Sequence, residues 1–558
     1  MVLVVPKFAG LLLHLNKLVT IYLTEENVNL PLTKKIKQRV SMAILGNLIA
    51  RSLQLRKKFK LPVASPQTYQ RHALRQLLER GQYTSFGKHY GFGDILSKEI
   101  DFVKAFRERV PVCTYTEMHQ NWWYRCQEGE ENVSWPGKVK YFALSSGTSE
   151  AASKHIPVTQ DMIKSIKKVG FKQLYSMANF KIRPVAFEKG ILMLGGTTSL
   201  FEKGEYYEGD MSGISAKNMP RWMSSLLYKP GQRISKRHKW EDRIKLIVEK
   251  ADQWDVGIVC GVPAWVQIVL ERVIKHYGVK NIHEIWPNLS VYIHGGVSIE
   301  PYKESFKHVW GKPVTFIETY MASEGSFGFQ ARPGAGIKLV LNAQIFFEFI
   351  PFTDENFDEH GNPKPNPVTY LVNEVQEGVE YAVVLSTCAG AWRYIIGDVL
   401  RFTNAKEHEI AIVGRTKQFL SLCGEHMSID NMNKAIETVS KRLNITIREF
   451  AVAGLKYNNL FAHKWYVGCD DPNLDPVKLK ELLDETLCKL NDDYEVERTS
   501  ALKELFVQVL PARVFIDYLR AKGKEGAMSK FPRVLKGGTL QDWEQYLESN
   551  KIAPIAEA

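Results

Sequence analysis

The sequence predicts an α/β fold in which a large N-terminal domain is followed by a smaller α+β domain. Three observations carry that expectation. Strand-like and helix-like segments alternate from residue 139 to residue 320, the pattern of an α/β domain with a substantially parallel sheet. Between 338 and 413 the pattern changes to shorter strands with turns, and from Arg415 onward helices and strands mix again.

The chain opens with an apolar stretch, VLVVPKFAGLLLHLNKLVTIYL, broken by Lys7, His14 and Lys17. Nothing in it reaches the ~18 uninterrupted apolar residues of a membrane span, and no small-residue cleavage site follows. Met42 to Lys60 reads as a basic amphipathic helix with Ile44, Leu48, Leu55 and Phe59 on one face, packed on the body with its charges solvated. Strands are expected at 139–144, 191–195, 256–260, 289–294 and 313–318. Between them come helices at 160–178, 241–253, 263–277 and 301–309. Phe346 to Ile350, Thr369 to Asn373 and Tyr381 to Leu385 read as further strands, and Asp354 to Pro367 as a polar Pro/Gly/Asn-rich loop. Residues 475–491 are the clearest late helix.

Composition narrows the function classes. The 558 residues are 45% hydrophobic and 24% charged, enough for a sizeable core in more than one domain. Cysteines 113, 126, 260, 388, 423, 469 and 488 are scattered with no CxxC pair, which argues against a zinc site or a disulfide framework and for reduced thiols in a cytoplasm. The net charge of +13 invites a nucleic-acid reading, but no RNA-reading aromatic motif accompanies the basic stretch. No nucleic-acid partner and no integral membrane association are expected, and the protein is expected to act as a cytoplasmic monomer.

The densest chemistry lies at residues 141–155, YFALSSGTSEAASKH. An apolar run ends in Ser145-Ser146-Gly147-Thr148-Ser149, with Lys154 six residues beyond Thr148. Hydroxyls, a glycine and free backbone N–H groups directly after a strand make an anion cradle suited to nucleotide phosphates. Four segments follow in order: Tyr292-Ile293-His294-Gly295-Gly296-Val297, Glu318 to Gly325 (ETYMASEG), Trp392 to Asp398 (WRYIIGD), and Gly414-Arg415-Thr416-Lys417 leading to Gly424-Glu425. Ser145, Gly295 and Tyr320 each fall at or just after the end of a predicted strand, where ligands of such sheets bind.

This ordered set resembles the adenylate-forming superfamily that includes firefly luciferase and acyl-CoA synthetases. The wording SSGTS, HGGVSIEPY, YMASEG and WRYIIGD is similar to one branch, the acyl-acid amido synthetases. They are known from plant enzymes that conjugate auxin, jasmonate or benzoates to amino acids, and they have bacterial members. The resemblance runs from about Met42 to the C-terminal region. Met42-Ala43-Ile44-Leu45-Gly46 looks like the natural start of bacterial members, so residues 1–41 are expected to be an upstream extension. It further implies a luciferase-like adenylation domain over 42–414 and a small mobile domain over 415–558.

The resemblance assigns roles residue by residue. Ser145, Ser146, Thr148 and Ser149 would hold the phosphates of ATP, with Gly147 letting backbone approach and Lys154 adding charge. Gly295 and Gly296 would lie against the purine and Tyr320 would stack on it, while Ser323 would orient the α-phosphate. Glu324 would hold Mg²⁺, which takes one or two carboxylates alongside nucleotide phosphates. Asp398 would accept both ribose hydroxyls with its two oxygens, and Arg393 would support the site structurally. Arg415 and Lys417 sit at the implied hinge, where either would contact ribose or phosphate or swing as the small domain rotates, Arg415 as an ATP-binding residue and Lys417 as a catalytic one beside Glu324. Lys530, in Lys530-Phe531-Pro532-Arg533, would be catalytic too, reaching the α-phosphate as charge develops. The family usually has glycine where this chain has Ala151, and often lysine where it has Ala152. The acyl pocket is implied only loosely, near the helix from Met162 to Phe180 and the segment Phe201 to Tyr207.

The expected activity is an ATP- and Mg²⁺-dependent ligase that adenylates a carboxylic acid and passes the acyl group to an amino acid. Two alternatives stay open: the same adenylation with coenzyme A as acceptor, and a non-catalytic nucleotide-binding homologue.

Overall fold

The computed structural model describes residues 64–145, 154–296, 299, 302–358, 361–417, 420, 422, 425, 427–457, 460–472, 474–499, 502–523 and 530–558. The proposed extension 1–41, the basic helix 42–60 and the loop residues Ser146, Gly147, Thr148 and Ser149 lie outside them.

An eleven-stranded sheet forms the spine of the N-terminal region. Its parallel part runs, edge inward, through Tyr228–Lys229, Gly190–Met193, Val256–Cys260, Val291–Gly295 and Thr315–Ala322. The strands continuing the sheet from there, Gly325–Gln330, Ile337–Leu339, Glu409–Arg415, Tyr394–Asn404, Glu380–Thr387 and Ile345–Pro351, all pair antiparallel. The expectation of a substantially parallel sheet therefore holds only to Ala322. The turn at Ser323-Glu324 is too short for a crossover, so the chain folds back on itself, as only antiparallel neighbours allow.

The Tyr141–Ser145 strand belongs to a separate four-stranded sheet, where it pairs antiparallel with Lys154–Val158 and parallel with Tyr206–Gly209. The predicted strand at 369–373 does not form. Tyr370 makes a single antiparallel bridge to Phe349, and Pro367 just before it has no N–H to extend a ladder.

Helices seat on this spine through buried stripes and satisfied ends. The Pro263–Tyr277 helix starts on proline and ends at Gly278, whose φ of +65° suits a residue without Cβ. It buries Trp265, Val266, Val269, Leu270 and Val273 at three-to-four-residue spacing, each contributing about 1.5–3 kcal/mol of transfer free energy. The Gln160–Ser176 helix is capped by Thr159, whose hydroxyl accepts from the Met162 N–H and donates to the Cys388 carbonyl 2.6 Å away. That second bond ties the cap to the large sheet. On the Pro66–Gly81 helix, buried Gln70 donates to the Leu341 and Ile345 carbonyls and accepts from the Phe347 N–H. One amide thus satisfies three backbone groups that the sheet leaves over.

The C-terminal region has its own five-stranded sheet, ordered Val534–Leu535, Ile447–Tyr457, Leu460–Cys469, Leu502–Leu510 and Ala556–Glu557. Helices Ile429–Leu443 and Pro476–Leu490 cover one face through Met432, Ile436, Leu479 and Leu483 against Val452 and Trp465. Helices Arg513–Ala521 and Gly537–Ser549 cover the other through Phe515 and Trp543 against Ala451, Ala453 and Tyr466. Adjacent strand residues point to opposite faces, so a strand covered on both sides reads as a continuous apolar run. Phe450-Ala451-Val452-Ala453 is such a run.

Candidate active site

Three parallel strands, Val256–Cys260, Val291–Gly295 and Thr315–Ala322, end side by side, in register from Cys260 with Ile293 to Gly295 with Thr319. Gly295 is required by its neighbour: a Cβ there would stand 2.3 Å from the Thr319 carbonyl oxygen. Gly296 has φ +85°, and a Cβ on it would lie 2.7 Å from Nζ of Lys530. The space above this glycine, expected to face a purine, therefore holds the end of a lysine from the C-terminal region.

Ser323 and Glu324 form the turn between the Thr315–Ala322 and Gly325–Gln330 strands. The turn pushes Glu324 inward, where it is buried and accepts from the Tyr394 hydroxyl at 3.1 Å. Asp398 and Arg415 face each other across an antiparallel pair, so their side chains meet by register alone. Arg415 Nε lies 3.1 Å from Asp398 Oδ1, and the Tyr320 hydroxyl donates to Oδ2 at 2.7 Å. Each carboxylate oxygen accepts more than one hydrogen bond, so these partners orient Asp398 without consuming its capacity.

Tyr320 departs from its expected role as an adenine platform. Its ring is 3% exposed and packs edge-on against Phe327, which makes it a core ring whose hydroxyl sets the carboxylate. Arg393 takes the structural place expected of it. It donates to both oxygens of buried Glu348, at 3.0 and 2.9 Å, and to the Arg107 and Val110 carbonyls. Ser145 ends its strand opposite Lys154. Ser323 lies in the turn, half-buried, and Lys417 is exposed beyond the last strand.

Electrostatics join these residues into one neighbourhood. Burial, followed by the Asp398 charge, pushes the Glu324 carboxyl up. The Arg415 guanidinium is held up chiefly by Asp398. Burial depresses Lys154, with Arg415 and Lys417 adding to the effect while Glu324 and Asp398 oppose it. Lys530 is brought down to about 8, first by the protein packed around its ammonium and next by Arg415. The residue as a whole remains exposed, with its Cε and Nζ end against Gly296. Four cations thus surround two carboxylates, a field suited to a polyphosphate carrying its own cation.

The donor set fits Mg²⁺. Among the described residues no group of three or more His, Cys, Asp or Glu side chains gathers around a metal position. Mg²⁺ held by nucleotide phosphates and one or two carboxylates needs no such cage, and Glu324 is a buried carboxylate that burial and the Asp398 charge push up.

Three contributors were missed in the sequence. Tyr394 holds Glu324, and its signal was present, since it stands four residues before Asp398, in strand phase with it. Tyr115 lies under the Lys154 ammonium, 5.3 Å from ring centre to nitrogen, and its hydroxyl accepts from the His155 N–H. The third, Tyr302, meets the C-terminal region.

This architecture, a large mixed sheet whose strand ends are covered by a small α/β domain, is an adenylate-forming fold. A 2-hydroxyisobutyryl-CoA ligase in its postadenylation state superposes with TM-score 0.55 at 13% identity, covering 86% of this chain and 91% of that one. The GH3 family N-terminal domain matches residues 55–251, its central domain 338–415 and its C-terminal domain 430–538. These matches span more than half of the chain, and the protein belongs to the GH3 family. A GH3.15 acyl acid amido synthetase superposes with TM-score 0.70 at 17% identity, covering 90% of this chain and 96% of that one. A jasmonoyl–L-amino acid synthetase of Oryza sativa subsp. japonica is 22% identical over 69% of this chain and 77% of its own length. An indole-3-acetic acid-amido synthetase of Arabidopsis thaliana is 22% identical over 68% and 72%.

Proposed function

We propose that this protein is an ATP- and Mg²⁺-dependent ligase that adenylates a carboxylic acid and transfers the acyl group to the amine of an amino acid. The observation that carries this is convergence: Asp398 pairs with Arg415 beside buried Glu324 in the large sheet, and Lys530 from the other domain reaches Gly296 within range of the Arg415 and Asp398 charges. The relatives' names, acid–amino acid synthetases, supply the acceptor class.

In the first half-reaction the carboxylate oxygen attacks the α-phosphorus and the bond to pyrophosphate breaks. Asp398 holds the ribose hydroxyls, and Arg415 and Tyr320 fix its orientation. Lys154 faces the phosphates, and Lys530 supplies positive charge where the α-phosphate gains negative charge. Glu324 would hold Mg²⁺, which neutralises phosphate charge. In the second half-reaction the amine nitrogen attacks the acyl carbon, the carbon–oxygen bond to AMP breaks, and the amine proton leaves to solvent. Positioning and charge supply most of the acceleration that such transfers need.

We place the domain boundary at 414/415 and read the C-terminal domain as the moving part, the protein acting as a cytoplasmic monomer on small-molecule substrates without nucleic acid. Six described cysteines are free, and no described helix is long and apolar enough to cross a membrane.

The test is carboxylate-dependent exchange of labelled pyrophosphate into ATP across aryl, indolyl and fatty acids, without amine or thiol. Exchange with any of them supports adenylation, and adding amino acids or coenzyme A then separates amide from thioester formation. Absence of exchange with ATP binding intact would favour a nucleotide-binding homologue.

A further inference from the structure

Among the described residues, a buried polar contact joins the two domains beside the Lys530 segment. Tyr302, 3% exposed and set in the core that includes Val262, Trp265 and Phe306, belongs to the N-terminal domain. Its hydroxyl donates to Oε1 of Glu449 at 2.6 Å, in the first strand of the C-terminal sheet. The other Glu449 oxygen accepts from Arg533 Nη1 at 2.6 Å. Arg533 also donates to the Phe450 carbonyl and lies 4.4 Å from the centre of the Phe450 ring. Burial raises the Tyr302 hydroxyl far above its usual range, with the Glu449 charge acting in the same direction, so it stays a donor at any working pH.

Other charged contacts between the domains are of two kinds. Arg401 of the large sheet donates to Asp430 of the Ile429–Leu443 helix at 2.9 Å, a half-buried pair close in sequence to the boundary between the domains. Arg520–Glu241 at 2.7 Å and Arg448–Glu271 at 3.9 Å join side chains that are each 41–42% exposed. Exposed pairs of this type add little and are screened by salt.

Lys530 hangs from the same segment. Two residues separate it from Arg533, and of these Phe531 packs into the C-terminal core against Phe515, Tyr518 and Trp543. Lys530, Phe531 and Arg533 line a small cavity at the junction together with Tyr302, Glu449 and Trp265. The carrier of Lys530 is thus rigid within its domain, and the depth to which Lys530 enters the site is set by how that domain docks.

We propose that Tyr302, Glu449 and Arg533 form a reversible latch that docks the C-terminal domain with Lys530 in the site and opens for the second half-reaction. The functional part of this rests on the adenylation reading above. Both charged members belong to one domain. Undocking therefore breaks the Tyr302 bond and leaves Glu449 and Arg533 paired, so no buried charge is stranded when the latch opens. These are positioning residues; only Lys530 would touch the reacting atoms.

Two measurements on the full-length chain test it, with Tyr302→Phe and Glu449→Gln. Hydrogen exchange without substrates reads docking directly. Peptides covering 302–309 and 447–453 should exchange about ten-fold faster in Tyr302→Phe, the change expected for a loss of about 1.4 kcal/mol, while 263–277 keeps its protection. In turnover, pyrophosphate exchange should slow about ten-fold in kcat at unchanged KM for ATP, whereas amide formation from supplied acyl-adenylate should proceed at the wild-type rate or faster. Unchanged exchange at both junction peptides in both variants overturns the latch. So does equal slowing of both half-reactions, which marks general damage. A wild-type protein inert toward every acid but showing faster junction exchange in Tyr302→Phe would sink the ligase reading and keep the docking contact.

Discussion

Replacing Asp398 with asparagine removes one charge and almost no volume. The native carboxylate has Arg415 on one oxygen at 3.1 Å and the Tyr320 hydroxyl on the other at 2.7 Å. Asparagine must keep its oxygen toward Arg415, because two donors cannot face each other. Its NH₂ then meets the Tyr320 hydroxyl, which reverses its role and accepts. The fold loses an ion pair whose Arg415 side is 35% exposed, about 1 kcal/mol, and exchanges a charged hydrogen bond for a neutral one, so roughly 1–3 kcal/mol in all. Nucleotide use loses more. Two ribose hydroxyls donating to a carboxylate contribute roughly 1.5–3 kcal/mol each, and asparagine offers them one neutral acceptor. A loss of roughly 2–4 kcal/mol means about 30- to 1,000-fold in kcat/KM for ATP. The assay is pyrophosphate exchange at varied ATP, below the temperature at which the variant begins to melt. Tyr320→Phe, which removes only the orienting hydroxyl, should cost about ten-fold. A folded Asp398→Asn protein within three-fold of wild-type kcat/KM would refute the ribose assignment.

Three further outcomes are expected. Arg393→Met should destabilise the N-terminal domain by about 3 kcal/mol, because it leaves buried Glu348 with only the Arg107 guanidinium at 3.5 Å and the Thr369 hydroxyl; urea unfolding should show the double variant with Glu348→Leu recovering part of that loss. Gly296→Ala should slow pyrophosphate exchange, since its methyl would meet Lys530 Nζ at 2.7 Å and push the lysine from the site, and should lower the melting temperature because φ is +85° there; wild-type exchange in the folded variant would show that Lys530 does not act there. The pH profile of adenylation should fall on the alkaline side near pH 8, where Lys530 gives up its proton. The stability sign is opposite. A lysine held near 8 when folded and near 10.5 when unfolded destabilises the fold below pH 8, and the penalty disappears as pH rises toward 10.5. Lys530→Met should therefore be the more stable protein at pH 7, with the difference closing by pH 10.5.

Local pattern made much of the parallel core legible. The strand at 256–260 and the helix at 263–277 carry their own boundaries, Pro263 and Gly278, and both form as expected. The 369–373 segment shows where pattern misleads, because its alternation is strand-like but the sheet supplies one bridge and no ladder. The separate sheet under the SSGTS motif was not legible either, since pairing with Tyr206–Gly209 depends on a partner more than sixty residues away. The site was readable as a set of motifs, and Asp398, Glu324 and Arg415 do meet. What no single motif contained was their mutual wiring: Tyr320 to Asp398 across 78 positions and Tyr302 to Glu449 across 147. Such bonds come from topology, and one tyrosine read as a ligand platform proved to be a core side chain with a tethered hydroxyl.

The two sheets share no strand, and the cores around the second one draw only on residues from Leu420 onward. Each half has an apolar interior of its own, with Ile516 of the small domain packed against the core around Trp265 in the large one. A chain cut between Lys417 and Leu420 should yield two fragments that fold separately and meet through Tyr302, Glu449 and the strand-end surface. That makes the small domain an exchangeable cartridge. Swapping it among relatives would transplant the lysine together with the Glu449–Arg533 half of the latch, leaving Tyr302 and nucleotide recognition behind on the large domain.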